Sequence, residues 1–318
     1  MPTGFGYRVE QYNASYEQLE RTALLAEELG YDGLWLNDHF VPDPISGRYE
    51  APTFECWTTA GALARATSRV RIGFMTLCNG YRWPSITAKM VTTLDNISGG
   101  RVDMGLGAGW HEDEFAMFGI PYPAPKVRLD QLIEGLEIIQ GMFANEQFSY
   151  QGEHFSVDGV WNNPRPVQQP RPPVWIGGAG EKRMLRIVAK YADWHNLVVT
   201  PLHAFRQKMA ILDERCAEIG RDPKSLRRSL NPSLLIRASD EEFDRYAEER
   251  AKKRSLSVDE YLELLESQGT IFGGPDRVTQ MLRDFEGAGC EYFEFIIREA
   301  DQETPLRLFA SLVMPRFR

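Results

Sequence analysis

Short apolar runs alternate with amphipathic helical stretches along most of this 318-residue chain. That alternation is typical of repeated βα units built around a parallel sheet. Eight of the runs are predicted to be strands, at residues 4–9, 32–36, 70–77, 101–106, 174–176, 194–199, 229–236 and 292–297. Eight strands, each followed by helix, favour a closed (β/α)8 TIM barrel over an open doubly wound sheet. The chain length suits such a barrel with insertions.

Two segments depart from the rhythm of the barrel. Residues 144–172 are rich in aromatic residues, glycine and proline, and residues 238–270 form a highly charged helical stretch. Both are interpreted as insertions into one barrel domain that spans residues 1–318. Helix boundaries elsewhere carry local signals, such as Ser15 with Gln18 three residues later, which is the pattern of a capping box.

The charge balance restricts the class of partner. With 36 Lys and Arg against 45 Asp and Glu, the net charge is −9. Such a surface repels phosphate backbones and anionic lipids, so binding to nucleic acid or membrane is not expected. An anionic ligand would have to be held locally. No run of about 18 apolar residues is present, which predicts no membrane span and no secretory signal, and hence a cytoplasmic protein.

Metal chemistry is also disfavoured. The four cysteines are widely spaced and form no C-x-x-C pair, so free thiols are expected rather than disulfides or a zinc site. The five histidines show no H-E-x-x-H or related spacing, and neither a P-loop nor a G-x-S-x-G elbow occurs. The sequence therefore predicts no metal site.

Candidate catalytic residues follow the second predicted strand. In barrels of this kind, the active site lies at the carboxyl ends of the strands. His39 comes directly after such an end, next to Asp38. A histidine titrates near neutrality and could move a proton while a hydride moves elsewhere. The alternative is a histidine whose ring is bonded to a loop carbonyl group.

Glycine-rich turns follow two other strands. Gly105, Gly107 and Gly109 alternate along and after the fourth strand and would let another group approach the backbone closely, unless they only form a tight bend. Their spacing does not fit a dinucleotide fingerprint. Residues Gly177, Gly178, Ala179 and Gly180 lie between a strand and a helix, where backbone amides can bind phosphate. Lys182 and Arg183 could add charge. The alternative is an ordinary glycine turn.

Four segments of the chain resemble motifs of the luciferase-like oxidoreductases. They are residues 32–40 (DGLWLNDHF), 98–110 (SGGRVDMGLGAGW), 173–181 (PVWIGGAGE) and 273–278 (GGPDRV). The pattern is most similar to the branch that uses coenzyme F420, an 8-hydroxy-5-deazaflavin, while FMN is the alternative cofactor on the same barrel. The resemblance covers nearly the whole chain.

The resemblance implies a particular cofactor site. The ring would lie at the strand ends against the end of the third strand, where Met75, Thr76 and Asn79 stand and where a cis peptide is expected between Met75 and Thr76. The glycines at 107 and 109 would line the ring, and residues 177–180 would hold the phosphate. His39 matches the histidine near the reactive carbon.

The resemblance also implies an activity. That activity is hydride transfer between coenzyme F420 and a small organic substrate, with His39 as proton donor or acceptor. Two alternatives stay open: an FMN-dependent two-component monooxygenase, and a non-catalytic flavin-binding barrel. A reductase would supply the reduced flavin or deazaflavin, and a homodimer is compatible with the fold.

Two positions depart from the pattern of the F420-dependent alcohol and sugar-phosphate dehydrogenases. Those enzymes carry a glutamate after the glycines of the fourth strand, where this chain has Trp110, followed by His111 and Glu112. They also carry a tryptophan four residues beyond the histidine, where this chain has Asp43. The substrates of those enzymes are therefore not expected here.

Overall fold

A computed structural model describes residues 3–42 and 48–318. The strands of its central sheet are all parallel and close into a barrel of eight, in the order β3, β2, β1, β13, β10, β9, β8, β5, with β5 pairing back to β3. The barrel strands are Gly4–Arg8 (β1), Gly33–Leu36 (β2), Arg71–Phe74 (β3), Val102–Gly107 (β5), Val174–Gly177 (β8), Trp194–Val198 (β9), Arg227–Asn231 (β10) and Tyr292–Phe295 (β13). The predicted (β/α)8 barrel is confirmed.

Helices surround the strands. They are Tyr16–Leu29 (α1), Cys56–Ala66 (α2), Pro84–Ser98 (α3), Glu112–Met117 (α4), Pro125–Ala144 (α5), Met184–Tyr191 (α6), Leu202–Glu218 (α7), Asp240–Lys253 (α8), Val258–Ser267 (α9), Pro275–Gly287 (α10) and Glu303–Leu312 (α11). The capping box that Ser15 and Gln18 predict is present at the start of α1, and Gly30 ends this helix in the left-handed conformation. No helix in the described ranges is long and apolar enough to cross a membrane.

The run predicted as one strand over residues 229–236 is two strands. It breaks at Pro232, whose nitrogen cannot donate to a ladder of hydrogen bonds. Ser233–Ile236 (β11) then leaves the barrel and pairs with Thr270–Gly273 (β12), a strand that the sequence did not predict. Helix α6 begins at Met184, four residues after the glycine-rich turn, and the C-terminal helix α11 was not predicted.

The two irregular segments have their own secondary structure. The first contains an antiparallel hairpin of Gln147–Gln151 (β6) and Ser156–Trp161 (β7). The register of the pairing shifts between Phe148 and Tyr150. The second contains α8 and α9, which pack with β12 around a small apolar cluster of their own that includes Phe243. The remaining short strand, Leu77–Cys78 (β4), continues alongside β5 after a break in β3.

Aromatic side chains fill part of the barrel lumen. Trp35, Trp175, Trp194 and Tyr292 pack there with Met75, and the rings of Trp175 and Trp194 stack with their centroids 4.2 Å apart. Trp194 and Tyr292 are the first residues of their strands. This packing closes the lumen toward the amino ends of the strands, so the open space lies at the carboxyl ends.

Candidate active site at the mouth of the barrel

A cavity of about 430 Å³ opens at the carboxyl ends of the barrel strands. Each of the eight strands contributes to its wall, either with its last residues or with the loop that follows. The wall contains at least one such residue from each strand, namely Arg8, His39, Thr76, Gly107, Gly177, Val198, Asn231 and Ile296. The cavity therefore lies at the strand ends, where the strand-end rule predicts a site.

His39 faces this cavity and is held by a glutamate that the sequence did not single out. The Nδ1 atom of His39 lies 2.8 Å from Oε2 of Glu114, which belongs to α4. Because a carboxylate can only accept, Nδ1 carries the proton in this pair. Nε2 of His39 has no hydrogen-bond partner among the described residues, so it is the nitrogen available to a ligand.

Glu114 is fully buried and accepts several hydrogen bonds. Its Oε1 accepts from the backbone N–H groups of Phe40 at 2.5 Å and Val41 at 3.2 Å, and the hydroxyl of Tyr81 donates to Oε2. Burial alone raises the pKa of this carboxyl group. The hydrogen bonds from His39, Tyr81 and Phe40 outweigh burial, so the pKa of Glu114 lies below its usual value and the group is an anion at neutral pH.

A second histidine lies close to this pair. His111 is buried, and its Nδ1 lies 3.6 Å from Oε2 of Glu114, while its ring stacks on Trp110 with centroids 5.0 Å apart. The side chains of His39, His111 and Glu114 could together hold a metal ion, as could Asp38, Glu55 and Cys56. The sequence missed the first group because spacing along the chain does not bring residues 39 and 111 together.

Asp38 lies in the wall of the cavity with both carboxylate oxygens occupied. Arg82 forms a two-pronged ion pair with it, with N–O distances of 2.6 and 3.0 Å. The thiol of Cys56 also donates to Asp38, at 3.1 Å, and so does the backbone N–H of Cys78, at 2.9 Å. These contacts tie the end of β2 to α2, to β4 and to the loop after it.

The break in β3 forms one flat part of the wall. The Met75–Thr76 peptide is cis, as the resemblance implied. The side chain of Thr76 lies directly over two glycines, because a Cβ at Gly107 would be 2.6 Å from its Oγ1 and a Cβ at Gly177 would be 2.8 Å from its Cγ2. Neither glycine carries a side chain, and the room that this leaves is taken by Thr76, which forms the surface of the wall here.

The predicted phosphate loop lies beside this wall. A groove of about 460 Å³ contains Ala179, Gly180 and Lys182, and it shares Ala108, Gly178 and Met184 with the cavity. The two spaces therefore adjoin, and an elongated ligand could extend from one into the other. The predicted cation Arg183 is bonded instead to Asp130 of α5, at 2.5 Å.

Asn79 is a predicted site residue whose side chain lies away from the cavity. Its amide donates to the carbonyl group of Gln131 at 3.0 Å, and it packs against Gly135 of α5. Eight other predicted residues line the cavity, which are Asp38, His39, Met75, Thr76, Gly107, Gly109, Gly177 and Gly178, while Ala179 and Gly180 line the adjoining groove. Asp43 lies outside the described residues.

A buried polar layer lies in the lumen. Asn196 donates to Oε2 of Glu294 at 2.9 Å and to Ser229 at 2.8 Å. Burial raises the pKa of Glu294 well above its usual value, so this carboxyl group is neutral. His195, under the phosphate loop, contacts the carbonyl oxygen of Gly178 at 2.8 Å, and burial lowers its pKa to about 4.

This chain is similar to known proteins over most of its length. The family model described as luciferase-like monooxygenase matches residues 1–291. An F420-dependent glucose-6-phosphate dehydrogenase of Microbacterium testaceum is 26% identical, with alignment over 100% of this chain and 98% of that protein.

Solved structures share the fold. An F420-dependent secondary alcohol dehydrogenase bound to an F420–acetone adduct has a TM-score of 0.85 at 20% identity, with both chains fully covered. The oxygenating constituent of 3,6-diketocamphane monooxygenase from Pseudomonas putida, in complex with FMN, has a TM-score of 0.76 at 19% identity, over 100% of this chain and 99% of that one. With the family model matched along most of its length, this chain belongs to the luciferase-like monooxygenase family.

Proposed function

We propose that this protein is an oxidoreductase that transfers a hydride between the deazaflavin coenzyme F420 and a small organic substrate. The observation that carries the proposal is the contact between His39 and Glu114 at the mouth of the barrel. Hydride transfer to or from a C–O or activated C=C bond leaves one proton to be moved, and this pair presents a ring nitrogen for that purpose.

The shape of the site fits the cofactor. Thr76, Gly107 and Gly177 line one side of the cavity, where a planar tricyclic ring would lie against the Thr76 side chain. The adjoining groove would hold the phosphate through the backbone amides of Ala179 and Gly180, with Lys182 near it, because the N–H of Gly178 already donates to the carbonyl oxygen of Asn196. When bound, the deazaflavin would supply two-electron hydride chemistry.

The residues of the chain divide the remaining work. Glu114 accepts from Nδ1 of His39, which fixes the tautomer and leaves Nε2 directed at the cavity as base or acid. Asp38, paired with Arg82, holds the strand end that carries His39, and we assign it this positioning role. The walls of the barrel exclude water and keep the substrate within reach of the ring.

FMN is the alternative cofactor, which the FMN-bound fold neighbour supports. Titration of the purified protein with both cofactors separates the two. We expect coenzyme F420 to bind with a dissociation constant in the micromolar range or below, and FMN to bind more weakly. Equal or tighter binding of FMN, together with oxygen-dependent oxidation of a substrate, would contradict the proposal.

The role of His39 needs its own variants. We expect His39→Asn to lower kcat by about 10²–10⁴-fold, the usual range for loss of a general acid or base, with little change in cofactor affinity. His203→Asn is the matched control, because His203 is exposed on α7 and does not line the cavity. Cofactor binding without turnover of any substrate would instead favour a non-catalytic flavin-binding barrel.

A further inference from the structure

One arginine at the mouth of the barrel is buried and has no partner among the residues that the structure describes. Arg8 is the last residue of β1 and is 8% exposed, and it lines the cavity. Its guanidinium group forms no hydrogen bond or ion pair with any residue in the ranges 3–42 and 48–318. Leaving a buried charge without a partner costs several kcal/mol in general, so such a group points to a missing ligand.

The direction of Arg8 follows from the alternation of side chains along β1. The hydroxyl of Tyr7 contacts Thr22 of α1 and donates to Gln302, so Tyr7 points outward to the helices. Successive side chains of a strand point to opposite faces, so Arg8 points into the lumen. Its guanidinium therefore faces the cavity.

The acidic groups of the cavity are already occupied. Asp38 is paired with Arg82, and Glu114 accepts from His39, Tyr81 and two backbone N–H groups. Neither carboxylate is left to neutralise Arg8. The guanidinium of Arg8 therefore has no carboxylate partner at the mouth among the described residues, and it is available to a ligand even though the protein as a whole has a net charge of −9.

The topology separates Arg8 from the proposed cofactor positions. Around the closed barrel, β1 lies four strands from β8 in either direction, so it stands opposite Gly177 and Gly178. On the same side as Arg8 are Ile296, which follows β13, and the exposed Arg298 at the rim. A ring held against β3, β5 and β8 would leave this half of the mouth to the substrate.

We propose that the substrate carries an oxyanion, a carboxylate or a phosphate, and that Arg8 binds it. The proposal rests on the function proposed above and narrows its substrate class. A guanidinium binds either oxyanion with two parallel hydrogen bonds, which fixes orientation as well as position. Because β1 and β2 are neighbours, the anchored substrate would lie beside His39, which moves the proton that balances the hydride.

The test measures binding of simple probes to the cofactor-free and the F420-loaded protein by calorimetry. The probes are benzoate, phenyl phosphate and the neutral benzamide. We expect at least one anion to bind wild type about ten- to hundredfold more tightly than benzamide, and Arg8→Met to abolish that preference. Whichever of the two anions binds more tightly shows whether the substrate carries a carboxylate or a phosphate. Arg8→Lys should retain part of the preference.

Arg65→Met is the matched control, because Arg65 is exposed on α2 and the same charge is removed. Cofactor affinity should be unchanged in Arg8→Met. If the variant binds benzoate and phenyl phosphate as wild type does, or loses cofactor affinity instead, the proposal is overturned.

Two features keep the test independent of folding and of the cofactor. Should Arg8→Met not fold, the melting temperature of wild type still decides, since it should rise with an anion and not with benzamide. Equal shifts with all three probes would overturn the proposal. Failure of F420 to bind would count against the proposed function alone, because the cofactor-free protein still reports anion binding.

Discussion

Glu114→Gln tests the proposed proton transfer most directly. The substitution keeps the size of a side chain that is fully buried, and it removes the charge. In the wild type, the N–H groups of Phe40 and Val41 donate to Oε1 of Glu114. The amide oxygen of the glutamine can still accept these two hydrogen bonds. The amide nitrogen then faces Nδ1 of His39, where a donor replaces an acceptor. His39 must accept at Nδ1 and carry its proton on Nε2.

The expected effect is large on turnover and small on folding. A neutral imidazole with its proton on Nε2 cannot act as a base toward the cavity, so kcat should fall by about 10²–10⁴-fold. Cofactor affinity should change little, because Glu114 lies behind His39. Glu114→Ala, in contrast, leaves buried donors without partners, at roughly 1–3 kcal/mol each, and should also lower the free energy of unfolding.

The assay is steady-state reduction of coenzyme F420, the direction in which His39 acts as a base, with a substrate found by screening, together with urea unfolding of each variant. Glu112→Gln is the control, because it makes the same change at an exposed position two residues earlier on the same helix. A Glu114→Gln enzyme with kcat within about threefold of wild type would refute the tautomer argument. A loss of cofactor affinity with normal kcat would make His39 a binding residue.

Three further predictions follow from the glycines and the buried acid. Gly178→Val should weaken cofactor binding in a folded protein, measured by titration, because Gly178 has φ of +137° and a Cβ there would lie 2.8 Å from Met184. Gly105→Ala should destabilise the barrel by about 1–3 kcal/mol or more in urea, because the new Cβ would lie 1.8 Å from the carbonyl oxygen of Phe74. Glu294 has a raised pKa in the folded state, so its neutral form is favoured there and stability should fall as pH rises above about 4.3, with a slope of up to ~1.4 kcal/mol per pH unit. Glu294→Gln lacks this slope, and an equal stability difference from wild type at pH 5 and pH 8 would contradict the assignment.

The barrel could be predicted because burial on both faces makes its strands continuous apolar runs. The errors arose where tertiary structure overrides the pattern. Residues 229–236 look like one strand, yet Pro232 ends the ladder and β11 pairs with β12 outside the barrel. The strand β12 lies between charged helices and a glycine turn, so its four residues gave too short a signal.

The site was predicted in part, for a physical reason. His39 and the glycines follow strands directly, so the rule on strand ends finds them. Glu114 follows two other acidic residues on α4, and only its burial distinguishes it from Glu112 and Asp113. Burial of one carboxylate in a run of three depends on which face of a six-residue helix meets the barrel, and such a short helix gives no clear periodicity.

The net charge of the surface and the charges inside the cavity act over different distances. A net charge of −9 acts over the distance of a Debye length and disfavours extended polyanions. It says little about a small ligand inside a cavity whose wall contains Arg8, because interactions there are short and poorly screened by salt. At the mouth, the two carboxylates are bonded to their own donors and the guanidinium is not. The cavity can therefore offer an unpaired guanidinium within an acidic protein. The small anion that Arg8 would bind and the nucleic acid that the surface repels are separate classes of ligand, and one barrel can distinguish them by size alone.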